Sequence, residues 1–227
     1  MEFGKPEDFH DNKKIRLLAI ERAIAQYQFS AQHHKSKFQD KIDEHTKLFI
    51  KGLGNEINFL SCFKELFFNS RELLDILLTK LNKETKNQDF QTARSFLTFA
   101  KKMMNGDYDG CKLAIIEFLK TNVTYIFHIR KVRNEIKNSP SNIKFRYVNR
   151  FEAYFKVPIK EDELELIGFL DITNKDEALK NKSYNCTYIL DEIFPEMLQF
   201  WNECFSILDN DIKALTSKST GRAIARP

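Results

Sequence analysis

Residues 55–82 read NEINFLSCFKELFFNSRELLDILLTKLN, and the apolar residues of this stretch recur every three or four positions. That spacing predicts an amphipathic helix of roughly seven turns. Its main stripe comprises Ile57, Leu60, Phe63, Phe67, Leu74, Leu77 and Leu81. Phe59, Leu66 and Leu73 widen the stripe, so we expect this helix to be buried on two sides.

The same period predicts further helices on both sides of this stretch. They cover residues 6–50, 90–104, 115–138 and 184–215, with a bend or restart at Pro195 in the last one. The helix over 115–138 is expected to stop before Ser139, because proline disfavours helical geometry in the residue that precedes it. Short links between most of these helices favour antiparallel neighbours.

One segment departs from the helical period. Ile143, Phe145 and Tyr147 alternate with Lys144 and Arg146, which is typical of a strand. The predicted fold class is therefore all-α, an antiparallel helical bundle of four to six helices with a small β-hairpin-like insert before the last helix. We divide the chain into an N-terminal helical extension (1–53), the bundle (54–216, with the insert at 141–183) and a flexible tail (217–227).

Composition excludes several protein classes. With 42% hydrophobic and 30% charged residues and a net charge of +4, the chain suits a folded, mildly basic domain. The four cysteines form no C-x-x-C pair, and neither a P-loop nor G-x-G-x-x-G occurs, so we expect no metal and no cofactor. No run of 18 apolar residues and no signal-peptide core is present. A cytoplasmic protein without membrane contact is expected.

Cations concentrate near the end of the predicted 115–138 helix. Between residues 120 and 150 the only acid is Glu135, whereas there are eight cations: Lys120, Arg130, Lys131, Arg133, Lys137, Lys144, Arg146 and Arg150. One interpretation is structural, because cations near a helix C-terminus complement the helix dipole by about 0.3–1 kcal/mol each. Cations also solvate an exposed face.

The other interpretation is an anion site. Arg130, Arg133 and Lys137 lie three and four residues apart, so they line one helical stripe that continues the apolar face through Ile126. Guanidinium groups bind phosphate bidentately, and the phosphate of RNA or of a nucleotide is the obvious ligand. Four aromatic residues could add stacking surfaces for bases: Tyr125, Phe127, Phe145 and Tyr147.

Arg133 and Asn134, followed by Asn138 at a helix end, resemble the signature of the HEPN superfamily. In that family an Arg, often followed by a polar residue, precedes a His by four to six positions. The resemblance implies a helical RNA-associated domain that commonly dimerises, often a metal-independent endoribonuclease of defence or toxin–antitoxin systems. It implies that Arg133 binds phosphate and that Asn134 orients Arg133 or caps the helix end.

The chain departs from the family at one position, because Asn138 stands where the resemblance places the catalytic His. An amide does not shuttle a proton near neutral pH. His128, five residues before Arg133, points elsewhere around the helix. We therefore expect RNA or nucleotide binding without full ribonuclease activity. Two alternatives stay open: a weak ribonuclease that uses Asn138 or His128, and a helical scaffold that binds a partner through the 55–82 stripe and the Trp201 face.

Overall fold

The computed structural model describes residues 6–38, 48–49, 55–84, 95–147 and 150–221. The elements in these ranges are α1 (Pro6–Phe38), β1 (Leu48–Phe49), α2 (Asn55–Glu84), α3 (Phe96–Met104), α4 (Ala114–Thr121), α5 (Val123–Asn138), β2 (Lys144–Tyr147), β3 (Phe151–Pro158), α6 (Leu164–Ile167), α7 (Lys175–Asn181), β4 (Ser183–Ile189) and α8 (Leu190–Gly221). The prediction of a mostly helical chain with a small antiparallel sheet before the last helix is confirmed.

Helix α2 occupies the centre of the core, as its two-sided apolar pattern predicts. It packs against α1, α5 and α8. Phe63 and Leu74 of the main stripe are fully buried, and so are Leu66 and Leu73 of the widened face. Trp201 of α8 is also fully buried, and its indole Nε1 donates a hydrogen bond to Ser70 Oγ of α2 at 3.0 Å. The buried residues of this stripe and Trp201 are thus covered by other parts of this chain.

Helix α1 packs its apolar side onto the same core. Ile20, Ala23 and Tyr27 are buried with the residues of α2. The Tyr27 hydroxyl donates a hydrogen bond to Asp191 Oδ1 in the first turn of α8 at 2.7 Å. The helix ends at Phe38, and residues 48–49 form a strand, so the expected continuation of this helix to residue 50 is wrong. The domain boundary at residue 53 stays a prediction.

The predicted 115–138 helix is two helices that meet at Asn122. The Phe118 carbonyl accepts two hydrogen bonds from Asn122, one from its side-chain amide at 2.8 Å and one from its backbone N–H at 3.1 Å. A side chain that bonds nearby backbone in this way competes with regular helix geometry. The break sets the direction of α5, which carries the motif residues. Helix α3 begins at Phe96, and residues 90–94 of the predicted helix lie outside the described part of the chain.

The four strands form one antiparallel sheet in the order β1-β2-β3-β4. Strand β4 overlaps the predicted start of the last helix at residue 184, and α8 begins only at Leu190. Tyr184, Cys186 and Tyr188 alternate along β4, and such aromatic-rich runs favour strands. The predicted β-hairpin-like insert at 141–183 also contains helix, since residues 164–167 form the short helix α6. Helix α8 continues through Pro195 as a single element.

Candidate functional site

Half of the eight cations between residues 120 and 150 are neutralised by carboxylates. The ion pairs are Lys120–Asp109 (2.5 Å), Lys131–Glu163 (2.7 Å), Arg146–Glu152 (2.6 Å) and Arg150–Glu152 (3.3 Å). The other four cations, Arg130, Arg133, Lys137 and Lys144, have no carboxylate within 4 Å among the residues that the structure describes. Three of the four, Arg130, Arg133 and Lys137, lie on one stripe of α5, and we call these three residues the basic surface.

Arg133 lies at the centre of the basic surface. Its side chain is half-buried, and its guanidinium carbon is 5.1 Å from the centroid of the Phe68 ring on α2. Its Nη1 donates a hydrogen bond to Asn134 Oδ1 at 3.2 Å. The cation–π contact with the ring and the bond to Asn134 orient the guanidinium, and its other N–H donors lack a protein acceptor in the described residues. A bound anion would supply those acceptors.

Arg130 lies one helical turn before Arg133 and is also half-buried. Burial lowers the pKa of Arg130, and the neighbouring Arg71 guanidinium lowers it further. Carboxylates at Glu163, Asp162 and Asp75 act in the opposite direction. Since Arg71 is itself paired with Asp75, the positive charge of Arg130 is the less compensated of the two.

A groove of about 340 Å³ adjoins Arg133, because Phe68 forms part of its wall. The other residues that line it are Arg16 of α1 and Ser61, Lys64, Glu65, Asn69 and Glu72 of α2. Lys64 Nζ lies 5.6 Å from the centroid of the Phe68 ring. Arg16 Nη1 donates a hydrogen bond to Asn69 Oδ1 at 3.2 Å. We call this feature the Phe68 groove.

The motif residues of α5 are only partly brought together. Arg133 and Asn134 are in contact, and Lys137, four residues after Arg133, is exposed on the same side of the helix. Asn138 is the exposed last residue of α5. At about 100° per residue it lies about 140° around the helix from Arg133, so the two side chains diverge. The structure thus groups Arg130, Arg133, Asn134 and Lys137, and leaves Asn138 apart.

Of the aromatic residues that the sequence suggested for stacking, two belong to the core and two pack against it. Phe127 and Phe145 are 3% and 2% exposed, so their expected role is wrong. Tyr125 packs on Phe200 with ring centroids 4.9 Å apart, and Tyr147 packs on Phe151 at 4.8 Å. Phe68 was missed, although the sequence holds a signal: this phenylalanine lies outside the apolar stripe of the 55–82 stretch. In the structure it is half-buried.

His128 faces the sheet and does not contact Arg133. Its ring stacks on Tyr184 with centroids 5.7 Å apart, and it meets the edge of Tyr188 at 6.0 Å. Its Nε2 is buried and has no hydrogen-bond partner in the described part of the chain. Burial lowers the pKa of His128 to about 4. At neutral pH the ring is therefore uncharged and forms part of the packing between α5 and β4.

Two other features bear on ligand chemistry. A second groove of about 600 Å³ between α4 and α8 is lined by Glu117, Glu196 and Glu203, with no cation in its lining, so it does not suit a phosphate. Among the described residues, no three His, Cys, Asp or Glu side chains are grouped so that they could hold a metal ion. The helices in the described ranges include none with the length and apolarity that a bilayer span requires.

Comparisons of the chain with family models, with curated proteins and with solved structures found no match. The resemblance to the HEPN superfamily therefore depends on the residues at the end of α5 and stays a prediction.

Proposed function

We propose that this chain is a HEPN-like helical bundle of the cytoplasm that binds RNA or a nucleotide through the basic surface on α5. One observation carries the proposal: the Arg133 guanidinium is oriented by Phe68 and Asn134 and has no carboxylate within 4 Å among the described residues. Partial burial of a cation without a counter-ion costs free energy. A phosphate oxygen would offset that cost through charge-assisted hydrogen bonds.

Binding without cleavage is the form of the proposal that the side chains favour. Asn138 replaces the family's proton-transferring His, and it lies away from Arg133 on the helix. His128 is uncharged and packed between α5 and β4. Neither residue is positioned to move a proton at a phosphate held by Arg133. A place in a defence or toxin–antitoxin system follows from the family resemblance and belongs to the same proposal.

Replacing Arg133 with alanine tests the proposal. We expect Arg133→Ala to weaken binding of a fluorescein-labelled single-stranded RNA about tenfold in an anisotropy titration, because a charge-assisted contact to phosphate is lost. The slope of log K against log salt should become shallower by about 0.7, the contribution of one phosphate contact to a single strand. Thermal melts of each variant check the fold.

Arg150→Ala is the matched control, since it removes the same charge from the same segment. Arg150 pairs with Glu152 and Glu192, so its loss should change the affinity less than twofold and leave the slope unchanged. If Arg133→Ala and wild type bind RNA with the same affinity, Arg133 is not a ligand and the proposal fails. Equal weakening by both variants would assign the effect to net charge alone.

A homodimer is the second element of the proposal. Ile15, Leu18 and Phe29 are 57%, 49% and 77% exposed, and their spacing places them on one side of α1, away from its buried stripe. An exposed apolar stripe of this kind favours association with a second copy. We expect light scattering to give twice the chain mass for wild type, and the single-chain mass when all three residues are replaced by serine. A monomeric wild type would contradict it.

A further inference from the structure

We infer that the Phe68 groove seats one unpaired base of a single-stranded RNA, while Arg133 and Lys64 bind the phosphates that flank this base. The inference rests on the proposed function and adds the class of nucleic acid. It starts from the Phe68 ring, which has two cations near it: Arg133 at 5.1 Å and Lys64 at 5.6 Å. Neither cation has a carboxylate within 4 Å in the described part of the chain.

A partly exposed aromatic ring between cations is the arrangement that proteins use for single strands. The cations bind the phosphates of the backbone, and any of the four bases can stack on the ring, so binding does not depend on the nucleotide sequence. Phe68 is half-buried, so its position is held by the core while part of its ring faces the groove. The base of a duplex is already stacked and paired, and it cannot reach such a ring without being extruded.

The carboxylates of the groove favour a base there over a phosphate. Glu65 and Glu72 line the groove together with Arg16 and Lys64, and neither acid forms an ion pair with a described cation. The two carboxylates balance the charges of Arg16 and Lys64, so the groove lining has no net positive charge that would attract a phosphate into it. They would instead accept hydrogen bonds from the amino group of a base. Charge therefore places the base inside the groove and its two flanking phosphates at Arg133 and at the exposed Lys64.

Phe68→Leu is the central variant, because leucine keeps an apolar side chain in the partly buried position and removes the stacking surface. The probes are a fluorescein-labelled single-stranded RNA 12-mer and the same strand annealed to its complement. We expect Phe68→Leu to weaken binding of the single strand at least fivefold, and to leave the affinity for the duplex unchanged. Phe118→Leu, which shortens a half-buried phenylalanine of α4 outside the groove, should bind both probes as wild type does.

Phe68→Trp supplies a readout that a structural role for the ring would not change. The chain has a single tryptophan, Trp201, which is fully buried. The fluorescence added at position 68 should be quenched when the single strand binds, because a base stacks on the indole, and quenched little by the duplex.

The possible outcomes separate the inference from the proposed function. If Phe68→Leu weakens single strand and duplex equally, the ring only positions Arg133, and the inference is wrong while phosphate binding stands. The same holds if Phe68→Leu binds the single strand as wild type does and Arg133→Ala does not. If Arg133→Ala binds both probes like wild type, phosphate binding fails, and the inference fails with it.

Discussion

Replacement of Lys131 with methionine is expected to lower the free energy of unfolding by about 3–5 kcal/mol, the usual cost of leaving one member of a buried ion pair alone. The Lys131 and Glu163 side chains are 4% and 5% exposed, and Nζ lies 2.7 Å from Oε2. The same Oε2 accepts a hydrogen bond from the Lys160 backbone N–H at 2.9 Å. Without Lys131 the Glu163 carboxylate would stay buried beside one neutral donor, or would have to take up a proton.

The double variant Lys131→Met/Glu163→Leu distinguishes this cause from simple loss of packing. It removes both charges, so most of the lost stability should return, with about 1 kcal/mol still missing because the Lys160 N–H loses its acceptor. Urea denaturation followed by circular dichroism measures all three proteins. Lys120→Met, which breaks a more exposed pair with Asp109, should cost at most about 1 kcal/mol. A similar small loss for Lys131→Met would show that the 131–163 pair is not desolvated.

The second large effect is a loss of stability in acid that comes from His128. Burial lowers the pKa of this residue in the folded chain from 6.5 to about 4, whereas in the unfolded chain it titrates near its ordinary value. Between these two values the unfolded chain binds the additional proton. The contribution of His128 is therefore complete above about pH 6.5, and it decreases by about 1.4 kcal/mol for each pH unit down to about 4.

His128→Phe isolates this contribution from that of the carboxylates. Phenylalanine fills a similar volume beside Tyr184 and has no proton to gain, so the variant should lose less stability between pH 7 and pH 4.5 than wild type does. The measurement is the free energy of urea unfolding at half-unit pH steps. Parallel pH profiles for the two proteins would show that the imidazole is hydrated or already paired in the folded chain.

The basic surface shows how far local spacing reaches. Because residues three and four apart share a helix face, the grouping of Arg130, Arg133 and Lys137 followed from the sequence. The sequence did not show which of these cations lack a carboxylate partner. Glu152, the partner of Arg146, lies two residues beyond the cation-rich segment 120–150, and Glu163 reaches Lys131 across the fold. Ion pairing depends on distances in space, and a window of neighbours in sequence cannot report them.

Strand β4 shows the same limit for secondary structure. The sequence predicts helix over residues 184–189, because apolar residues continue without a break into α8. Their strand geometry comes from pairing with β3 over seven residues, from Glu152↔Ile189 to Pro158↔Ser183. A strand gains its backbone hydrogen bonds from a partner distant in the chain, whereas a helix satisfies them locally. Local patterns therefore identify long helices better than short strands.

From the order of residues alone came the central helix with its two buried faces, the mostly helical class, the small antiparallel sheet and the cationic stripe that includes Arg133. Each follows from a period of two or of about 3.6, which backbone geometry imposes on neighbouring residues. Only the tertiary structure shows which cations are paired with a carboxylate. It also shows that Phe127 and Phe145 are core residues and that Phe68 lies beside Arg133. Those facts depend on contacts between residues far apart in the chain, and such contacts follow no local period.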